Sequence, residues 1–337
     1  MSDLSIAAKA LAPSRLQLSV ASYFDEALYR AEQQLIFEAA PSYVGHTLAL
    51  PEQLPTRSVQ TWNGLVFEAR GHRIVDDFAQ LGPRAALDFS GFVLDKVEQH
   101  ECDYNWKTFI EVYLEDYHVG PFHPGLGSFV TCADLQWEFG RDYSVQTVGV
   151  HRALAQPGSE VYRRWHDALL DFRGGKPPEH GAIWLTRYPT VMVEWYPHVR
   201  VVSTLVPQGP QKTLNVIEFF YPRQIVASGR EFIEANQAAY METCIEDDEI
   251  ALRMDAGRRA LYERGDDEAG PYQSPMEDGM QHFHEWYRRA MGGALGDAPA
   301  PSAHDERDAQ ESAGAASASP VVGGSNPVSS QTRRACA

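Results

Sequence analysis

Between Tyr143 and Tyr221 the chain passes through five runs dense in Val, Ile, Thr and aromatic residues: 143–154, 182–188, 191–196, 199–207 and 213–221. Such residues suit a pleated surface, and turn residues such as Pro197-His198 and Gln208-Gly209-Pro210 separate the runs. Connections this short join antiparallel neighbours, since parallel strands need long crossovers. A long helical pattern then runs from Gly229 to Arg264. A sheet followed by one long helix predicts an α+β fold in which the sheet curls round that helix. The space between them is a natural pocket for a ligand. Trp184, Tyr188, Trp195 and Tyr196 are its expected aromatic lining, together with the long helix.

Elsewhere the pattern is simpler. Residues 22–37 read as an amphipathic helix, 43–50 as a strand, and 59–67 as a hairpin or a strand bent at Asn63-Gly64. The sequence predicts a helix over Asn105–His118 and another over Met280–Met291. From Gly292 onward the chain is rich in Ala, Ser, Gly and Pro, too poor in apolar surface to offset the entropy of ordering. The expected organisation is an N-terminal part over 1–55, a main domain over 56–291 and a disordered tail over 292–337.

The chemistry concentrates in Glu111-Val-Tyr-Leu-Glu115-Asp-Tyr-His118-Val-Gly-Pro121-Phe-His123. Residues five apart on a helix lie roughly 140° apart, so His118 and His123 meet only if the helix breaks. Pro121 is expected to end it near His118, letting His123 swing back from the loop. Glu115, one turn before His118, shares its face and can orient the imidazole by accepting its second N–H. Asp116 points to nearly the opposite side. Two imidazoles and one carboxylate with open positions is the ligand set of non-haem Fe(II) oxygenases. The plain alternative is a hydrogen-bonded pair of core histidines.

A third ligand has to come from elsewhere. The long helix carries Glu246-Asp247-Asp248-Glu249. The helical row through Asp247 is small and apolar, which turns that residue inward. The row through Asp248 includes Met241, Ile245 and Leu252, so periodicity leaves both open. An acidic run on a helix is also ordinary solvated surface.

Asn105-Trp106-Lys107, then Glu111, then Glu115-x-Tyr117-His118-x4-His123-Pro124-Gly125 resembles the catalytic domain of Rieske non-haem iron oxygenase alpha subunits, the ring-hydroxylating oxygenases and their monooxygenase relatives. The segment from Glu246 to Gly257 resembles that family's third-ligand helix. The resemblance implies a helix-grip (START/Bet v1-like) catalytic fold and a homotrimer. It implies mononuclear Fe(II) held by His118, His123 and Asp247, with Glu115 carrying electrons into the site.

The family also bears a Rieske domain whose [2Fe–2S] cluster is held by two Cys and two His, in Cys-x-His and Cys-x-x-His pairs. Neither pair exists here, and the first of the four cysteines is Cys102. The 43–52 and 59–67 segments resemble the two flanks of that domain, so the cluster module looks excised. The family resemblance therefore implies O2-dependent hydroxylation, dioxygenation or demethylation of a small, aromatic substrate. Electrons have to come from a reductase, a ferredoxin or a cluster-bearing paralogue. The alternatives are a small-ligand-binding protein of the same fold, without turnover, and an inactive remnant.

Charge excludes some partners. A net charge of -17 offers no basic face to nucleic acid or anionic membranes. No run approaches the ~20 apolar residues that span a bilayer, the N-terminus lacks a signal-like segment, and isolated cysteines suit a reducing cytoplasm.

Overall fold

The computed structural model describes residues 17–50, 58–151, 156–267 and 272–295. The 51–55 segment, part of the 143–154 run and the chain beyond 295, on which the expected tail mostly falls, lie outside the described residues. Residues up to Ala294 form one compact unit. Its centre is a seven-stranded antiparallel sheet of β4 (Phe92–Cys102), β5 (Val130–Phe139), β6 (Tyr143–Val150), β7 (Ala182–Arg187), β8 (Val191–Tyr196), β9 (Val199–Gly209) and β10 (Lys212–Pro222). The strand order is β4-β10-β9-β8-β7-β6-β5.

One face of this sheet holds the long helix, Arg230–Arg264, and the helix Glu160–Phe172. Between them lies a core that includes Trp165, Trp184, Val201, Phe219 and Phe232. The opposite face is covered by Phe67, Phe78, Leu87 and Phe89, which meet Ile183, Leu185, Val193 and Val202. Every residue of β7 is therefore buried, because alternate side chains enter two different cores. The second cover includes part of a small sheet of β1 (Ser42–His46), β2 (Val59–Trp62) and β3 (Leu65–Glu68). The hairpin turn falls at Asn63-Gly64, where φ is +52° and +89°, the left-handed pair that a two-residue turn demands.

The expected helix at 105–118 is shorter than its pattern. It covers Trp106–Tyr113, with Asn105 as N-cap accepting from the Lys107 N–H. Glu115 then folds its carboxylate onto the N–H groups of Tyr117 and His118. Local bonds of this kind compete with the helical ladder, so the break comes before His118 rather than at the proline. Pro121 instead sits inside a separate one-turn helix, Val119–Phe122. It occupies the first turn, where a missing N–H costs nothing.

Glu111, on the Trp106–Tyr113 helix, is fully buried and accepts from the Tyr23 hydroxyl, Arg258 Nη2 and His284 Nε2. Burial raises its pKa, but the Arg258 charge and the hydrogen bonds more than offset that and hold it at about 2. The folded value lies below the ordinary 4.5, so this group stabilises the fold above pH 4.5 and loses that effect as pH falls through 2. The lost contribution is on the order of 3 kcal/mol. Denaturant titrations from pH 5 to pH 2 are expected to show this loss in the wild type and its absence in Glu111→Gln. Equal slopes in both proteins refute the assignment.

Candidate metal centre and adjoining pocket

The one-turn helix Val119–Phe122 sets the two imidazoles. His118 is its N-cap and His123 its C-cap, and the Phe122 N–H donates to the His118 carbonyl at 2.9 Å. Their rings come to 4.9 Å between centroids. Gly125, two residues on, has no room for a side chain: a Cβ there would lie 2.1 Å from the Tyr162 ring. The His-Pro-Gly sequence thus reflects a close approach of backbone to aromatic ring.

Both histidines turn Nε2 toward Asp247. The Asp247 Oδ1 atom lies 3.3 Å from His118 Nε2 and 2.9 Å from His123 Nε2. The other ring nitrogens are held from behind, His118 Nδ1 by Glu115 and His123 Nδ1 by Glu246 at 2.7 Å. Ligand atoms of His118, His123 and Asp247 all fall within 4.8 Å of one another. This is a two-imidazole, one-carboxylate site with a carboxylate behind each imidazole, an arrangement that fixes ring tautomer and raises ligand basicity. It could hold a first-row divalent metal with open coordination positions. Burial disfavours protonated rings, yet the carboxylates overcome it: His118 is raised to about 10 by Asp247 and Glu115, and His123 is raised as well. A metal entering here has to displace a proton.

Asp248 is turned elsewhere. It accepts from the Tyr104 hydroxyl at 2.8 Å and pairs with His100 Nε2 at 2.9 Å, across the helix from the histidines. Asp116 is buried with one carboxylate oxygen unpartnered, and burial and the Glu115 charge raise it to about 7.

The three residues open onto a cavity of about 80 Å³ between the sheet and the long helix. Trp184 and Tyr196 line it, as expected; Tyr188 and Trp195 do not. Trp195 is next to Tyr196 on β8, so it emerges on the opposite face, where it meets Arg200. Tyr188 lies past the end of β7 and packs on Phe283 and Trp286. The sequence reading missed Glu194, which shares the Tyr196 face and sits directly opposite Trp184 in the sheet register. It is 1% exposed, in a strand otherwise made of Val, Met, Trp and Tyr. A single acidic residue within such an apolar run was the available signal. Glu246 was also missed as the partner of His123; its place beside Asp247 was the clue.

Similarity to known proteins identifies the family and the fold. Residues 89–293 match the family described as ring hydroxylating alpha subunit (catalytic domain). A putrescine 2-hydroxylase of Ralstonia nicotianae is 52% identical over 365 aligned positions, which cover 86% of this chain and 100% of that protein. Several dozen of those positions have no counterpart in this shorter chain. A putrescine 2-hydroxylase of Bordetella bronchiseptica is 49% identical, covering 83% of this chain and 86% of its own. Among solved structures, a quaternary ammonium Rieske monooxygenase shares the fold with a TM-score of 0.60 at 14% identity, covering 82% of this chain and 94% of that one. Naphthalene 1,2-dioxygenase from a Rhodococcus species gives 0.59 at 13% identity, covering 83% and 95%.

Proposed function

This chain belongs to the ring-hydroxylating alpha-subunit family of Rieske-type oxygenases, and on that premise we propose that it hydroxylates a short aliphatic diamine of the putrescine type. The observation that carries this reading is the 52% identity to a putrescine 2-hydroxylase over an alignment covering 86% of this chain, together with a two-histidine, one-carboxylate cluster. An aliphatic substrate replaces the aromatic one that the family resemblance implied. The cavity supports the change. Its lining carries the carboxylates of Glu115, Asp116, Glu194 and Asp247, which suit a cationic amine better than a neutral arene.

His118, His123 and Asp247 hold iron(II) in this reading, and the iron supplies the activation of O2. Glu115 and Glu246 keep the two imidazoles oriented. Each turnover converts a C–H bond and O2, with two electrons and two protons, into C–OH and water. Members of the family draw those electrons from partner proteins, and because this sequence carries neither Cys–His pair, the proposal places the [2Fe–2S] group on a separate donor. Glu115 is the proposed route into the site: it touches His118, beside the exposed Tyr117. Assembly as a trimer, bringing a neighbour's cluster near Glu115, belongs to the same proposal.

Anaerobically purified protein, reconstituted with Fe(II), tests the reading. Iron at about one per chain is expected for a single mononuclear site, with no paramagnetic signal from a reduced [2Fe–2S] cluster. Given putrescine, 18O2 and a reduced cluster-bearing relative as donor, the product is expected to carry one 18O atom. Iron binding without turnover under any donor points to a ligand-binding protein instead; no iron, even after reconstitution, overturns the oxygenase reading and leaves a binding fold or an inactive remnant.

A further inference from the structure

The pocket holds four carboxylates, those of Glu115, Asp116, Glu194 and Asp247, and among the described residues no lysine or arginine lines it. Three of the four belong to the metal end: Asp247 faces both histidines, Glu115 touches His118, and Asp116 lies between them in sequence. Glu194 stands apart on the sheet. Its Oε1 accepts from the Tyr240 hydroxyl at 2.7 Å and its Oε2 from the Tyr196 hydroxyl at 2.8 Å. Trp184 Nε1 in turn donates to the Tyr196 oxygen at 2.9 Å. Aromatic rings enclose the carboxylate: Tyr196 and Tyr240 stand at 90° with centroids 6.2 Å apart, and Tyr113 lies 6.3 Å from Trp184. The Tyr113 hydroxyl, buried beside them, also interacts with the Glu194 carboxylate, outside strict hydrogen-bond geometry.

A buried carboxylate normally has a cationic partner. Glu194 has none among the described residues, although tyrosines orient it and surround it with ring faces that attract cations. We infer that Glu194, within the box of Tyr113, Trp184, Tyr196 and Tyr240, anchors a terminal alkylammonium group of the substrate and thereby sets specificity for amines. This rests on the proposed hydroxylation of a diamine and identifies the residue that recognises its far end. Burial pushes the Glu194 carboxyl up to about 7 against the lowering effect of the tyrosine hydrogen bonds, as expected for an acid whose counter-charge arrives with the ligand.

The test is equilibrium binding to the Fe(II)-loaded protein without O2, by calorimetry, with putrescine, butylamine and the neutral butane-1,4-diol. Wild type is compared with Glu194→Gln and with Glu194→Asp, which keeps the charge. Losing one partner of a desolvated charge pair weakens binding by at least roughly 30-fold. That loss is expected for both amines in Glu194→Gln, with the diol unaffected, iron content unchanged and partial recovery in Glu194→Asp. Equal weakening of amines and diol, or no weakening, overturns the anchor. Wild type that binds butylamine but not putrescine, with the loss in Glu194→Gln, upholds the anchor and sinks the diamine reading. Wild type that binds neither amine overturns both.

Discussion

Asp247→Ala is expected to leave the protein folded but without iron, while Asp248→Asn stays loaded. The two aspartates are neighbours on one helix, yet about 100° apart round it, and only Asp247 reaches His118 and His123. Removing a carboxylate that stands behind a ligand costs about 10- to 100-fold in metal affinity, which is the expectation for Glu246→Gln. Asp247→Ala removes the anionic ligand itself, so its loss exceeds ~100-fold and hydroxylation disappears with the metal. Asp248→Asn instead disturbs Tyr104 and His100, and its signature is a lower melting temperature at full iron content. Iron analysis with thermal melts on the three variants decides the matter. A loaded Asp247→Ala protein refutes the ligand assignment.

The second large effect comes from residues outside the pocket lining. Lys107 and Glu32 form an ion pair at 2.5 Å with side chains 0% and 1% exposed. Glu32 also accepts from Trp106 Nε1 at 2.9 Å and from the Tyr287 hydroxyl at 2.6 Å, and the Lys107 ammonium lies 5.0 Å from the centre of the Trp106 ring. Glu32→Ala strands a buried ammonium and two ring donors. Breaking such a pair from one side costs about 3–5 kcal/mol, a fall in melting temperature on the order of 10 °C for a domain of this size. The double variant Glu32→Gln/Lys107→Met removes both charges and is expected to regain a good part of that loss, since apolar replacement of a buried pair is often close to neutral. Equal stability of single and double variants contradicts the stranded-charge account.

That network also explains what the sequence could and could not reveal. Asn105-Trp106-Lys107 is conspicuous as text, and its three side chains are a helix cap and two contacts to Glu32. Nothing in the 22–37 segment marks Glu32 as their partner, because the contact spans 75 residues of chain. The five strands from Tyr143 to Tyr221 were legible through composition and turns. β4 and β5 were not, since Phe92–Cys102 and Val130–Phe139 carry many charged and polar residues on half-buried surfaces. The helix Glu160–Phe172 was missed too, a short amphipathic stretch rich in charge. At the candidate metal site, the spacing of His118 and His123 is conspicuous, but the choice between Asp247 and Asp248 needed a helix rotation that periodicity leaves open. Glu194 was hidden for the opposite reason: aromatic and aliphatic residues dominate its run, and a lone carboxylate in a strand reads as exposed, although it shares the Tyr196 face that the long helix covers.

One rod, the long helix, carries both ends of the pocket: Tyr240, which bonds Glu194, and Asp247, which faces the histidines. Seven residues separate them, an axial rise of ~10.5 Å. With the amine anchored at Glu194 as proposed, the helix works as a calliper between the charged tip of the substrate and the atom that reacts. Which carbon along an alkyl chain is presented for oxidation is then a matter of counting from the nitrogen. A diamine one methylene longer is expected to be offered a different carbon, which product analysis by mass spectrometry reads directly.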